Sequence, residues 1–142
     1  MKTVVYAIAR NESDKVEEWY SRVKEADKVV VVVNNSTDGT ADKLRQLGAE
    51  VVEKTYNPFR FDVARNDSLN LVPQDTKICL CIDIDEVLEK GWRKKVEQAW
   101  VDKDILNYRV VTHHENGQEL CSFVTPKIHS RTGWKWENAC NE

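Results

Sequence analysis

The sequence is short of chain-breaking residues, with 5 glycines, 3 prolines and a single methionine in 142 residues. No stretch is low in complexity and none repeats, so a single domain over 1–142 is expected. Neither charge dominates: 21 Lys and Arg stand against 24 Asp and Glu, a net charge of −3, and no basic block interrupts the mixture. That argues against a nucleic-acid partner. No apolar run is long enough to span a membrane, and the opening MKTVVYAIAR is too short for a signal h-region with its cleavage site. A first β-strand is the simpler reading of it. The four cysteines, Cys79, Cys81, Cys121 and Cys140, contain no C-x-x-C pair, which counts against a zinc ribbon or a thioredoxin motif. Cys79 and Cys81 read as small core residues, and the chain is expected to be cytoplasmic with reduced thiols.

What is present is a core. Apolar residues make up 41% and aromatics 8%, enough for a globular protein rather than a disordered one. Thr3 to Ala9 is apolar and β-branched, a first strand. Ser13 or Asp14 caps a helix whose buried stripe is Val16, Trp19, Tyr20 and Val23. The valine run Val29 to Val33 suits a strand covered on both faces, as in a parallel sheet. A second helix carries Ala41, Leu44 and Leu47 inward and ends on Gly48. Glu50 to Tyr56 is a third strand, stopped by Pro58. Phe61 to Leu71 is a third helix, and Lys77 to Ile84 a fourth strand. Trp92, Val96 and Trp100 mark a fourth helix. The last third changes character. Ile105 to His113 and Glu119 to Thr125 flank Asn116-Gly117, the preferred centre of a tight hairpin. A turn at Arg131 to Gly133 precedes Trp134 and Trp136. The expected fold is α/β: a three-layer α/β/α domain with a mostly parallel central sheet and an antiparallel β hairpin near the C-terminus.

CIDIDEVL, residues 81–88, ends an apolar run in three acids. Side chains alternate along a strand. Ile78, Leu80, Ile82 and Ile84 then share one face, and Cys79, Cys81, Asp83 and Asp85 the other. The two aspartates would lie about 7 Å apart, two strand rises, at the sheet edge where open α/β folds bind ligands. Like charges so placed repel, and burial adds to the cost. A hard cation, Mg²⁺ or Mn²⁺, removes the problem by taking carboxylate oxygens while keeping positions open for a diphosphate. The plain alternative is a pair of loop acids with no metal. The metal reading expects both carboxylates to be clear of lysine and arginine and close to the loops at 9–12 and 34–40. The same residues also fit the opening motif of haloacid-dehalogenase-like phosphatases, where the first Asp is a nucleophile. That family needs a second acidic pair far downstream, and the stretch after Leu88 shows none.

NNSTDGT, residues 34–40, follows the valine run. Ser36, Thr37 and Asp38 are good helix caps, so turn chemistry explains the loop as well as function does. The loop nevertheless falls on the same sheet edge as the acids, and so does Ala9 to Glu12. Three polar loops on one edge favour a nucleotide pocket. Neither loop carries G-x-G-x-x-G or G-x-x-x-x-G-K-[ST], which argues against a Rossmann dinucleotide site and a P-loop.

Ala7 to Glu12, VVVNNSTDGT at 31–40, FRFDVARND at 59–67 and CIDIDEVL at 81–88 resemble, in that order and spacing, family 2 of the glycosyltransferases. The likeness covers about 1–100 and loosens beyond. It implies the nucleotide-sugar-binding GT-A fold. It also implies that Ala7, Ala9, Arg10, Asn11 and Glu12 contact the nucleoside, and that Asn34, Asn35 and Asp38 contact base and ribose. Arg65 would lie near the nucleotide, and Asp83 and Asp85 would serve ribose and metal. Val33 stands where the family usually has an Asp, with Asn34 beside it as the substitute. Many members end a Trp-containing strand with His-Glu, and WKWENACNE is similar, with Asn141 for the His. The resemblance makes Glu142 the catalytic base, with Glu137 and Glu115 behind it. Members are commonly longer. Residues 1–100 would then be the nucleotide-sugar-binding part and 101–142 the β-rich start of an acceptor part.

Of the other residues, His113 and His114 are adjacent, so at most one faces a site as a third metal ligand or acceptor contact. A surface or loop histidine is the plainer reading, more so for His129. Trp134 and Trp136 share a face and either stack on a sugar or pack the edge of the core. Lys94, Lys95 and Glu97 read as the solvated face of the fourth helix. The expected function is metal-dependent, inverting transfer of a sugar from a nucleotide-diphosphate sugar, a UDP-sugar first of all, to an acceptor glycan or other hydroxyl compound. The alternative is a nucleotide-sugar-binding module without turnover. The last hairpin also offers an edge for a homo-oligomer.

Overall fold

In the computed structural model of the chain, which describes residues 1–101, 104–113 and 116–137, ten elements follow in order. They are β1 (Thr3–Ala9), α1 (Val16–Val23), β2 (Lys28–Asn34), α2 (Thr40–Leu47) and β3 (Glu50–Lys54), then α3 (Phe61–Asn70), β4 (Ile78–Cys81), α4 (Trp92–Ala99), β5 (Ile105–His113) and β6 (Glu119–His129). The strands form one sheet in the order β3-β2-β1-β4-β6-β5. β1 pairs in parallel with β2 and β4, and β2 with β3, whereas β6 runs antiparallel to β4 and β5. This is the mostly parallel sheet with an antiparallel C-terminal pair that the sequence predicts.

The apolar patterns decide the layers. Val29 to Val33 of β2 are all buried, because strands close both edges and helices both faces. Val29, Val31 and Val33 pack with Val5 and Ala7 of β1 against Val16, Trp19 and Val23 of α1 and Leu44 of α2. Trp92 of α4 belongs to the same layer. Val30, Val4 and Tyr6 face the other way, onto Leu69 of α3. Each fully buried aliphatic side chain of this kind stabilises the fold by about 1.5–3 kcal/mol. The alternation also holds beyond β4: Ile78, Leu80, Ile82 and Ile84 enter the first core, and Cys79 and Cys81 the second.

Several boundaries differ from expectation, and β6 runs on to His129 rather than ending at Thr125. β4 ends at Cys81 rather than Ile84. The Glu86 N–H already bonds the Asp83 carbonyl at 2.9 Å, so the acids sit on a turn and strand spacing does not apply to them. β3 stops at Lys54 rather than Tyr56. α1 starts without a side-chain cap, Lys15 taking the cap position, and the Ser13 N–H donates to the Asp38 carboxylate. α2 ends on Gly48 as expected, at a φ of 119° that favours glycine.

Candidate functional site

The chain runs outward through β1, β2 and β3, then returns to lay β4 on the other side of β1. Such a reversal opens a crevice at the carboxyl ends of the strands. A cavity of about 310 Å³ fills it. Ala9, Arg10 and Glu12 reach it from the loop after β1 and Asn34 from the end of β2. Arg65 comes from α3, and Asp83 and Asp85 from the turn after β4. All seven were expected. Ile8, Phe59 and Phe61 complete the lining and were not. The signal for the aromatic pair was present in FRFD, just where α3 begins under the crevice.

Ala7, Asn11, Asn35 and Asp38 do not line the cavity. Ala7 is buried within β1. Asn11 and Asn35 hold left-handed backbone, with φ of 49° and 47°, which Asn tolerates better than most residues. Asn11 Oδ1 accepts from the Thr37 amide at 2.8 Å, and the Asn11 amide donates to Ser36 Oγ at 2.8 Å. Asp38 accepts from the Thr40 hydroxyl and from the Ser13 and Thr40 amides. The Glu12 amide donates to Thr40 Oγ1 at 3.0 Å. These side chains zip the two loops together and shape the rim of the cavity rather than its wall.

The Thr40 hydroxyl, with the Ser13 and Thr40 amides, holds the Asp38 carboxyl down at about 2. A depressed carboxyl stabilises the fold above its unfolded value, 3.8, and the contribution disappears as pH falls through about 2. Asp38→Ala is therefore expected to loosen the rim at neutral pH. The Ser13 and Thr40 amides should exchange with solvent roughly tenfold faster while β1 and β2 stay protected. Unchanged exchange at both amides would refute the zipper.

The centre of the site is an ion cluster on Asp83. Arg65, 2% exposed, bonds Asp83 Oδ1 at 3.1 Å, and Lys127 of β6, 7% exposed, bonds Oδ2 at 3.0 Å. Lys127 also lies 3.3 Å from Glu86 Oε1, which accepts from the Asp83 amide at 2.9 Å. The Tyr108 hydroxyl reaches Glu86 Oε2 at 3.2 Å. Burial pushes the Asp83 carboxyl up, but the charges of Arg65 and Lys127 outweigh it and leave the group below its ordinary value. Glu86 shares only one of those cations and sits beside the Asp83 anion, so burial wins and its carboxyl is raised. The Lys127 ammonium is raised in turn, because Asp83 and Glu86 overcome its burial.

The two aspartates thus differ, contrary to the expectation that both are clear of basic groups. Asp83 is committed to Arg65 and Lys127. Asp85 is exposed and takes no hydrogen bond or ion pair among the described residues. Its charge is felt by Glu12, whose carboxyl is raised first by burial and further by Asp85 and Asp83. Among the described residues no group of three His, Cys, Asp or Glu side chains is arranged to hold a metal ion unaided. An oxygen donor such as Asp85 suits a hard cation whose remaining ligands come from elsewhere.

Beyond the acidic turn lies a second groove of about 350 Å³. Val87 and Leu88 form one side, Tyr108, Val110, Thr125 and Lys127 the other, and Asp83 and Asp85 separate it from the first cavity. Lys127 and Tyr108 were not foreseen, since neither strand carries a motif that points back to the turn. Glu137 is exposed, lies 3.6 Å from Lys135 and lines neither concavity. Glu142, Glu115, His114 and Asn141 fall outside the described residues. His129 is buried, with Nε2 at 2.6 Å from the Tyr6 hydroxyl. Trp136 packs on the second core, and Trp134 is exposed. No described helix is long and apolar enough to cross a membrane.

An open, mostly parallel sheet with a polar crevice at its point of reversal and an antiparallel extension defines the GT-A class of α/β fold. Residues 4–132 match the family "Glycosyl transferase family 2", and the chain belongs to it. An "Uncharacterized glycosyltransferase" from Rickettsia bellii (strain RML369-C) is 30% identical over 110 residues, covering 72% of this chain and 34% of that protein. Among solved structures, S. aureus TarS 1-349 in complex with UDP aligns with a TM-score of 0.58 at 25% identity, over 72% of this chain and 32% of that one. Glucosyl-3-phosphoglycerate synthase from Mycobacterium tuberculosis, in complex with Mn2+, UDP and glucosyl-3-phosphoglycerate, shares the fold with a TM-score of 0.59 at 21% identity, over 74% of this chain and 42% of that one. The chain spans about a third of the length of the first two relatives. Membership of this family sets the phosphatase reading of Asp83 aside.

Proposed function

We propose that the chain binds a nucleotide-diphosphate sugar, a UDP-sugar first of all, as the donor-binding part of an inverting, metal-dependent glycosyltransferase. The observation that carries this reading is the cavity joining the loops after β1 and β2 to Arg65, Asp83 and Asp85. UDP is favoured because S. aureus TarS, a relative at 25% identity, is described in complex with it. Base and ribose lie against Ala9, Arg10, Glu12 and Asn34, with the Phe59 ring as an apolar wall. Asn11, Asn35 and Asp38 support them from the rim. Asp83, held in place by two cations, offers a carboxylate oxygen to a ribose hydroxyl. Arg65 faces the diphosphate. Asp85 holds Mg²⁺ or Mn²⁺, with Asp83 beside it. When bound, the cation neutralises charge on the departing diphosphate.

The acceptor, a glycan or other hydroxyl compound, enters the second groove and approaches the anomeric carbon from the face opposite the leaving group. A carboxylate takes its proton, a contribution of around 10²–10⁴ in rate. Glu142 is the nominee ahead of Glu137, which lines neither concavity. In this reading 1–142 is one domain, with the donor side in 1–100 and the acceptor side in 101–142. The chain works in the cytoplasm, consistent with the free thiols of Cys79 and Cys81, and a second copy can pair along the edge strand β5. A second reading, a donor-binding module without turnover, is favoured by Glu137, which lines neither concavity.

Calorimetry with UDP, GDP and dTDP, with and without Mn²⁺, tests the proposal. UDP should bind most tightly, and more tightly with the metal. No binding of any nucleotide in either condition would end it. Tight UDP binding without UDP release from a UDP-sugar would favour the module.

A further inference from the structure

The segment after β6 folds back over the α3 face, and it arrives at Arg65. Arg131 Nε donates to the Val72 carbonyl at 2.9 Å. Asn66 then grips the Trp136 backbone twice: its Nδ2 donates to the Trp136 carbonyl and its Oδ1 accepts the Trp136 amide, both at 2.8 Å. The indole edge is fixed as well, Nε1 donating to the Tyr6 hydroxyl at 3.0 Å. That hydroxyl lies 2.6 Å from His129 Nε2, and His129 Nδ1 lies 2.7 Å from the Ser130 carbonyl. One direction of donation satisfies the whole chain: indole to Tyr6, Tyr6 to Nε2, and Nδ1–H to Ser130. Trp136 is therefore held at its backbone and at its ring.

What it holds is a guanidinium. The Arg65 Cζ lies 5.1 Å from the centre of the Trp136 ring and 5.9 Å from that of Phe61. At its edge, Nη1 reaches Cys81 Sγ at 2.9 Å and Asp83 Oδ1 at 3.1 Å. A planar cation with rings near it and an anion at its rim has little rotational freedom left. An arginine ordered before ligand arrives spares the ligand the entropy of ordering it.

We propose that Trp136 is a positioning residue for the nucleotide cavity: it holds Arg65 against Asp83, so that the segment after β6 sets the geometry of a cavity lined by residues between Ile8 and Asp85. The proposal rests on Arg65 facing a diphosphate, as argued above. Trp136 does not touch the ligand. Its effect passes through Arg65, and without Arg65 it has none.

Two measurements separate this from a purely structural role. The first needs no ligand. In side-chain NMR spectra, Arg65 should carry a ring-current shift and a slowly exchanging Nε–H. Trp136→Leu should remove the indole's share of the shift, leaving that of Phe61, and should speed the Nε–H exchange; both signals should largely persist in Trp136→Phe and weaken in Asn66→Ala, which releases the backbone but keeps the ring. The second is UDP calorimetry. Trp136→Leu should lose on the order of tenfold in affinity, with Trp136→Phe close to the parent. In an Arg65→Met background the same Trp136→Leu change should cost nothing further. Arg65 Nε–H exchange unaltered by Trp136→Leu overturns the proposal, and so does an equal loss of affinity in both backgrounds. If Trp136→Leu does not fold, the Trp136→Phe and Asn66→Ala spectra decide. If the parent binds no nucleoside diphosphate yet the Arg65 Nε–H exchange depends on Trp136, the positioning stands and the ligand reading falls.

Discussion

Asp83→Ala is expected to destabilise the fold by about 3 kcal/mol, near the low end of what removing one partner from a buried ion pair costs. The low end applies because the Asp83 side chain is 27% exposed and because each cation keeps another neighbour. Arg65 retains Cys81 and the two rings, and Lys127 retains Glu86. What remains is still two nearly buried positive charges without the anion that joined them. A urea midpoint lowered by roughly 1–2 M would register the change. The pH dependence has a definite sign. Asp83 is depressed below 3.8, so its contribution is complete above about pH 4 and is lost as pH falls through the folded value. The stabilities of parent and variant should therefore converge in acid. Glu86 and Glu12 act in the opposite sense. Their carboxyls are raised above 4.5, so the folded state is favoured below that pH and penalised as pH rises past it. A variant as stable as the parent at pH 7 would mean that Asp83 is not the keystone of the cluster.

Asp85→Ala, two residues away, is expected to do the reverse. Asp85 is exposed and unpaired among the described residues, so unfolding should stay within about 0.5 kcal/mol of the parent. The increment that Mn²⁺ adds to UDP affinity should disappear, because the carboxylate that holds the cation in this reading has gone. Affinity measured without metal should barely move, or improve slightly, since Asp85 also repels the diphosphate. A second readout is independent of any ligand. Removing the Asp85 charge should bring the Glu12 carboxyl down toward its ordinary value, visible in an NMR titration of the Glu12 side chain. Metal-enhanced UDP binding that survives Asp85→Ala would dispose of the metal-clamp reading, whatever happens at Asp83.

The contrast between these neighbours shows where sequence reasoning reached and where it stopped. Alternation correctly put Ile82 and Ile84 in the first core and Cys79 and Cys81 in the second. It could not tell that the strand ends at Cys81, because an apolar run looks the same in a strand and in the buried turn that follows. Loop placement put Arg10, Glu12, Asn34 and Asp85 on one edge, the family resemblance added Arg65, and all five line one cavity. The resemblance also nominated Asn11 and Asp38, whose side chains serve the loops instead, and nothing in NNSTDGT distinguishes a rim-forming carboxylate from a ligand-facing one.

Periodicity and loop placement, then, were written locally: the layers, the strand direction and the edge that carries the polar loops each follow from residues a few positions apart. The pairing of charges was not. Lys127 meets Asp83 across 44 positions, and Trp136 meets Tyr6 across 130. Contacts of that reach exist only once the sheet has closed, because an ion pair or a hydrogen bond leaves no period in the chain. Folding alone decided that one aspartate would be neutralised and the other left open.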